Sequence, residues 1–185
     1  MSNGQTVGRT LRSQAKTYVV QVQSGRERRA KLLIQRMLPE GLVDEVFVPT
    51  YAKQVKRAGE WREEKFLLVP GYLYLSTVSI DAVVQQLRSV PALTRVLGTE
   101  ARFVPLSEDE IVWLDELTNP GQRTVGISTG VIEGDEVRIV SGPLKGHEAL
   151  IKRINRHRRT AEIEFRILGR ATRVRVGLEI VRKER

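Results

Sequence analysis

The stretch TYVVQVQSGRERRAKLLIQRML, residues 17–38, decides the fold, because its hydrophobic period changes halfway along. Thr17 to Gln23 is a β-rich run bounded by Ser24-Gly25. From Arg26 onward Ala30, Leu33, Ile34, Met37 and Leu38 recur at helical spacing, with Arg28, Arg29, Lys31 and Arg36 on the other faces. Pro39 and Gly41 end that helix. Working outward, the alternation continues. Val43 to Val48 reads as a strand, and Lys53 to Glu64 as a charged hairpin with Gly59 near its tip. Phe66–Val69 and Tyr72–Val78 read as strands around a Pro70-Gly71 corner. Ser79 is an N-cap candidate for a second helix that carries Ile80, Val83, Val84 and Leu87 on one face. Ser107-Glu108-Asp109-Glu110 is a capping-box signature that opens a third helix through Ile111, Leu114 and Leu117. The pattern predicts an α+β domain over residues 16–117, with helices packed on a mostly antiparallel sheet.

On either side of this unit the pattern changes. Residues 1–15 have no periodicity and read as a flexible tail. Residues 118–129 contain Asn119-Pro120-Gly121 and Gly126 and little core material, which reads as a linker. After it no helical pattern returns. Glu136–Val140, Glu148–Ile154, Thr160–Ile167, Thr172–Val176 and Leu178–Val181 are short strands at close spacing, which predicts a small β-barrel over residues 130–185.

The 185 residues include 31 Lys+Arg against 22 Asp+Glu, for a formal charge of +9. That excess favours a polyanionic partner, nucleic acid first. It is unevenly spread, since residues 130–185 hold 14 basic and 8 acidic side chains and therefore two thirds of the net charge. Cys is absent and His numbers two, so disulfides, thiolate chemistry and a His-built metal site lack material. No apolar run is long enough to span a bilayer, and no apolar signal core opens the chain, so a cytoplasmic protein is expected. Glu63-Glu64, Glu108-Asp109-Glu110 and Asp115-Glu116 have structural explanations in a charged hairpin and along one helix. Neither a phosphate-binding Gly loop nor a nucleophile elbow is present. No cofactor, metal or enzymatic activity is expected.

The densest cationic stretch is Lys152, Arg153, Arg156, His157, Arg158 and Arg159, bridging one strand and the next. On a hairpin such side chains converge at the tip and straddle a phosphate backbone, and Arg adds a planar fork. Lys145 and His147 extend the patch from a neighbouring loop. For Arg166, Arg170, Arg173 and Arg175, strand surface and RNA contact remain equally open. Arg26, Arg28, Arg29, Lys31 and Arg36 read first as a solvated helix face, and second as a surface towards DNA.

Tyr18-Val-Val-Gln with Ser24-Gly25, Val46-Phe-Val-Pro49 with Pro70-Gly71-Tyr72, and Arg88-Ser-Val-Pro91 with Leu97-Gly98 and Pro105-Leu-Ser107 follow one another in the first domain. Gly134-Asp135-x-Val137-Arg-Ile, Ser141-Gly-Pro-Leu-Lys-Gly146 and Gly169-Arg-Ala-Thr172 follow in the second. In that order these stretches resemble the NusG family of transcription elongation factors, the second group its KOW motif. The resemblance implies a ferredoxin-like N-terminal domain and an SH3-like KOW barrel. It further implies a monomer that docks on the clamp helices of RNA polymerase beside upstream DNA. Tyr18, Phe66, Pro70, Gly71, Tyr72 and Arg88 become the candidate polymerase contacts. Ser141 to His147, Ile151 to Arg159 and Gly177 to Ile180 look most like the LoaP-type antiterminators, which implies capture of a leader hairpin in nascent RNA. The alternatives are a housekeeping factor linking polymerase to Rho or the ribosome, and a ribosome-associated RNA-binding protein. Two departures bear on these. Thr17 stands where many relatives have Trp. Leu168 replaces the usual Phe of a loop that contacts Rho or a ribosomal protein.

Overall fold

The period change at Ser24-Gly25 is a strand-to-helix turn in the computed structural model, which describes residues 15–89, 94–98, 102–118, 121–133 and 136–181. The expected tail falls almost wholly outside the described residues, as do Val90-Pro91, Asn119-Pro120 and Gly134-Asp135.

The chain divides into two compact units, one of residues 15–48 and Pro70–Ser107, the other of Pro49–Val69 and the described residues from Glu108 on. In the first, β1 (Lys16–Val22) leads into α1 (Glu27–Met37), followed by β2 (Glu45–Phe47). After the excursion into the second unit come β5 (Tyr72–Thr77), α2 (Ile80–Leu87) and β6 (Thr94–Val96). The strands form one sheet in the order β2-β5-β1-β6, and every pairing is antiparallel. Alternation puts Tyr18, Val20, Val22, Leu73 and Leu75 on one face, where they pack with Ala30 and Ile34 of α1 and Val83 and Leu87 of α2. Truncating a fully buried Leu73 or Leu75 to Ala would cost about 2–5 kcal/mol through lost burial and an unfilled cavity. The other face buries Val19, Phe47 and Tyr74, with the last two rings stacked at 5.3 Å. Ser79 does stand at the head of α2, but its side chain makes no cap. Its N–H donates to Thr77 Oγ1 (3.0 Å), which itself donates to Leu42 O (2.7 Å).

The second unit begins with the hairpin of β3 (Thr50–Arg57) and β4 (Glu60–Leu67). Ala58 and Gly59 both have positive φ, 49° and 89°, as a two-residue turn matched to strand twist requires. Phe66 ends this hairpin instead of opening a separate strand. Then α3 (Glu108–Leu117) and β7 (Thr124–Val125) follow, and β7 pairs in parallel with β3. The remaining strands are β8 (Ser128–Glu133), β9 (Glu136–Ser141), β10 (Ile151–Asn155), β11 (Thr160–Ile167) and β12 (Arg170–Val181). They form a half-barrel sheet in the order β10-β11-β12-β8-β9, with its core at Ile139, Leu144, Ala161, Ile163, Phe165, Val174, Val176 and Leu178.

Further details differ from the sequence reading. Residues 124–125 and 128–129, read as linker, are strand residues with buried Val125 and Ser128, and Ser128 Oγ accepts the Leu144 N–H at 3.0 Å. The two strands expected at 172–176 and 178–181 are one, running through Gly177. A Cβ there would stand 2.2 Å from the Ala52 carbonyl oxygen, so glycine is what lets β3 run against β12.

Candidate nucleic-acid interface

The basic turn forms because Asn155 and the backbone close it locally. Asn155 Oδ1 accepts the Arg158 N–H at 2.9 Å, and Arg156 O accepts the Arg159 N–H at 3.2 Å. Arg159 takes φ +50, which returns the chain into β11. Arg156, His157 and Arg158 are therefore held out into solvent, and among the described residues no carboxylate pairs with them. Lys152 and Arg153 continue the exposed charge down β10, where a register irregularity lies between Ile151 and Arg153.

Arg159 does not join them. It is half-buried, its Nη1 donates to Glu179 at 2.7 Å, and its guanidinium lies 3.6 Å from the centre of the Trp61 ring. Arg173 and Arg175 are also engaged. Antiparallel register sets Glu164 opposite Arg173 and Glu162 opposite Arg175, giving ion pairs at 2.7 and 3.7 Å. The hydrogen bond from Arg173 is the leading reason that the Glu164 carboxyl is pushed below its ordinary range; nearby positive charge adds to it. The outer face of β11 and β12 is thus a ladder of opposite charges, and Arg166 and Arg170 flank it without a carboxylate partner among the described residues.

The Lys145–His147 loop is mixed in charge. Lys145 is exposed, but His147 Nε2 lies 3.4 Å from Glu116 of α3. The Glu148 carboxyl beside it is lowered chiefly by hydrogen bonds from its own and the Gly146 backbone.

The candidate polymerase residues scatter more. Tyr18 is a correction: it is 7% exposed and belongs to the core, where burial first and Asp81 second raise its hydroxyl pKa. Alternation along β1 turns its ring inward. Phe66, in the second unit, is half-buried against Tyr51 at 5.6 Å, with Lys53 Nζ 4.6 Å above its ring. Pro70 and Arg88 are exposed, Tyr72 half-exposed and Gly71 buried. Glu27, which sequence reasoning passed over, pins this corner. Its buried carboxylate accepts the N–H groups of Gly71 (2.7 Å) and Gly25 (3.1 Å), two glycines at φ near +85 that a side chain would strain. The signal available was a Glu at the first turn of a helix directly after Ser-Gly. Trp61 was missed too, although a large aromatic inside a charged strand is itself a signal. Among the described residues no cluster of potential metal ligands forms, and no helix is long and apolar enough to cross a membrane.

Comparison with known proteins gives a consistent set of likenesses. The family model described as transcription termination factor nusG matches residues 15–114, and the KOW motif model matches residues 133–168. The chain is 29% identical over 178 residues to the transcription termination/antitermination protein NusG of Thermus thermophilus, spanning 90% of this chain and 97% of that one. It is 29% identical over 172 residues to the Escherichia coli K12 protein of the same name, spanning 90% and 94%. The Lactococcus lactis protein of that name is 30% identical over 168 residues, spanning 87% and 89%. The solved structure described as "Domain interaction in Thermotoga maritima NusG" superposes with a TM-score of 0.53 at 22% identity, covering 89% of this chain and 94% of that one.

Proposed function

The chain belongs to the NusG family of transcription termination/antitermination factors, and from that premise we propose that it rides on RNA polymerase and promotes processive antitermination after capturing nascent RNA. In this reading residues 16–117 engage the polymerase clamp helices beside upstream DNA. The corner at Pro70, Gly71 and Tyr72, exposed at Pro70, and Arg88 supply contacts from the first unit, and Phe66 supplies one from the second. Residues 130–185 capture a hairpin in the transcript leader. The protein acts as a cytoplasmic monomer with no cofactor and no chemistry of its own.

The observation that supports RNA capture is the β10–β11 turn, where Arg156, His157 and Arg158 are exposed and unpaired among the described residues. An unpaired surface cation keeps its full attraction for a phosphate and releases a counterion when it binds, whereas a cation already paired must first give up its carboxylate. Lys152 and Arg153 lengthen the surface along one strand, as contact with several successive phosphates requires. RNA held here is near polymerase, so even weak binding acts at high effective concentration. The LoaP-type reading is preferred to the housekeeping one because the loop at Leu168 lacks Phe and its Gly169 N–H is taken up by Glu110 Oε1 at 3.1 Å.

Two binding measurements test this. The protein is expected to bind polymerase at physiological salt, and to bind its own leader RNA with an affinity that falls steeply as salt rises. Failure to bind polymerase, or RNA affinity equal in wild type and in the R156A/R158A variant, contradicts the reading.

A further inference from the structure

We propose that Trp61 is a stacking platform for an unpaired nucleobase, presented by the loop or bulge of an RNA whose phosphates lie on Arg156 and Arg158. This rests on the RNA-capture reading above and names what that surface recognises beyond charge.

Every one of the ten aromatic side chains is described, and nine are buried or half-buried, which leaves Trp61 alone exposed, at 46%. A ring of that size in water forfeits a large apolar surface, so its place inside the otherwise charged stretch Glu60–Lys65 calls for an occupant. Its position is specified from both sides. Within the hairpin Trp61 pairs with Lys56, and strand alternation gives that face Lys65 and Glu63 as well. From the other side comes Arg159, whose guanidinium covers one face of the indole at 3.6 Å while Glu179 anchors it at 2.7 Å. The ring is thereby immobilised before any ligand arrives, and an immobilised aromatic loses little further entropy on stacking.

Arg159 is also the last residue of the basic turn, joined to Arg156 by a backbone hydrogen bond of 3.2 Å. The side chain that backs the platform and the phosphate contacts therefore sit on one short turn. An A-form stem hides its base edges in a deep, narrow groove, so a protein that reads RNA here meets bases only where they are unpaired. Stacking tolerates any base and grows with ring area, so purines are favoured. Charged neighbours without further exposed aromatics fit one base, not a run of single strand.

The test uses the full-length protein and two RNA probes, a stem closed by an adenosine loop and the same stem with abasic riboses in the loop. The adenosine loop is expected to bind about tenfold more tightly than the abasic loop. W61A should remove that difference and W61F should keep most of it. Tryptophan emission should be quenched by the adenosine loop in wild type but not in W61F, where only the half-buried Trp113 reports. Equal affinity for both RNAs with W61A indistinguishable from wild type, while R156A/R158A still weakens binding, overturns the platform and leaves RNA capture standing. No binding of either RNA by the wild-type protein overturns both.

Discussion

The β10–β11 turn and the outer face of β11–β12 carry the same residue type and almost the same number of positive charges, yet they differ in what those charges can do. On the strand face, register sets Glu162 and Glu164 opposite Arg175 and Arg173, so the charge is spent within the protein. At the turn Arg156, His157 and Arg158 are exposed, and among the described residues no carboxylate pairs with them. A count of basic residues treats the two regions alike. Their pairing separates a surface that can accept a polyanion from one that holds a sheet together.

The turn should respond most strongly to substitution. Changing Arg156 and Arg158 to Ala should lower RNA affinity by tens of fold at low salt, and should reduce the salt slope by about two, one for each lost phosphate contact. Filter binding across a salt series reads both. The matched change of Arg173 and Arg175 to Ala should alter RNA affinity less than about threefold while lowering the thermal midpoint modestly, because its loss falls on exposed cross-strand pairs. Equal losses of RNA affinity in the two variants would erase the distinction.

Acid sharpens the comparison further. The carboxyl of Glu164 is depressed in the folded protein by Arg173, so its contribution to stability is present above the unfolded carboxylate range and disappears as pH falls through the folded value. Melting midpoints measured downward from neutral pH should therefore hold steady, then fall below about pH 4, near the ordinary Glu range. The E164Q variant should show a shallower acid limb. The smallest effect concerns Glu179. Its change to Gln removes the ionic partner of Arg159 and should raise affinity about twofold for the abasic-loop RNA, which makes no use of the Trp61 ring, as a cation is returned to the turn.

Much of the fold was legible because period changes are strong signals. The switch from strand to helix at Ser24-Gly25 and the hairpin at Ala58-Gly59 both stand where the residues place them. Three features were illegible for reasons of tertiary structure. Residues 124–129 resemble a linker because Thr, Ser and Gly supply no apolar pattern. They are nonetheless ordered by pairing with β3 and by the hydrogen bond at Ser128. Gly177 reads as a break between strands, whereas its role is close approach to the Ala52 carbonyl. Tyr18 was expected among the polymerase contacts, and alternation along β1 turns it inward. The basic turn itself was visible from residue density. The neutralisation of Arg159, Arg173 and Arg175 was not, since their carboxylate partners lie 9 to 20 positions away and only strand register brings them opposite.

Whether the cations at the β10–β11 turn, unpaired among the described residues, recruit this factor to a transcript is read by single-round transcription. The template carries the gene's own upstream leader followed by an intrinsic terminator, with a second template lacking the leader. The account predicts that wild-type protein raises readthrough only when the leader is present, that R156A/R158A loses this effect, and that R173A/R175A retains it. Readthrough that is the same on both templates, or unchanged in the R156A/R158A variant, would contradict the account.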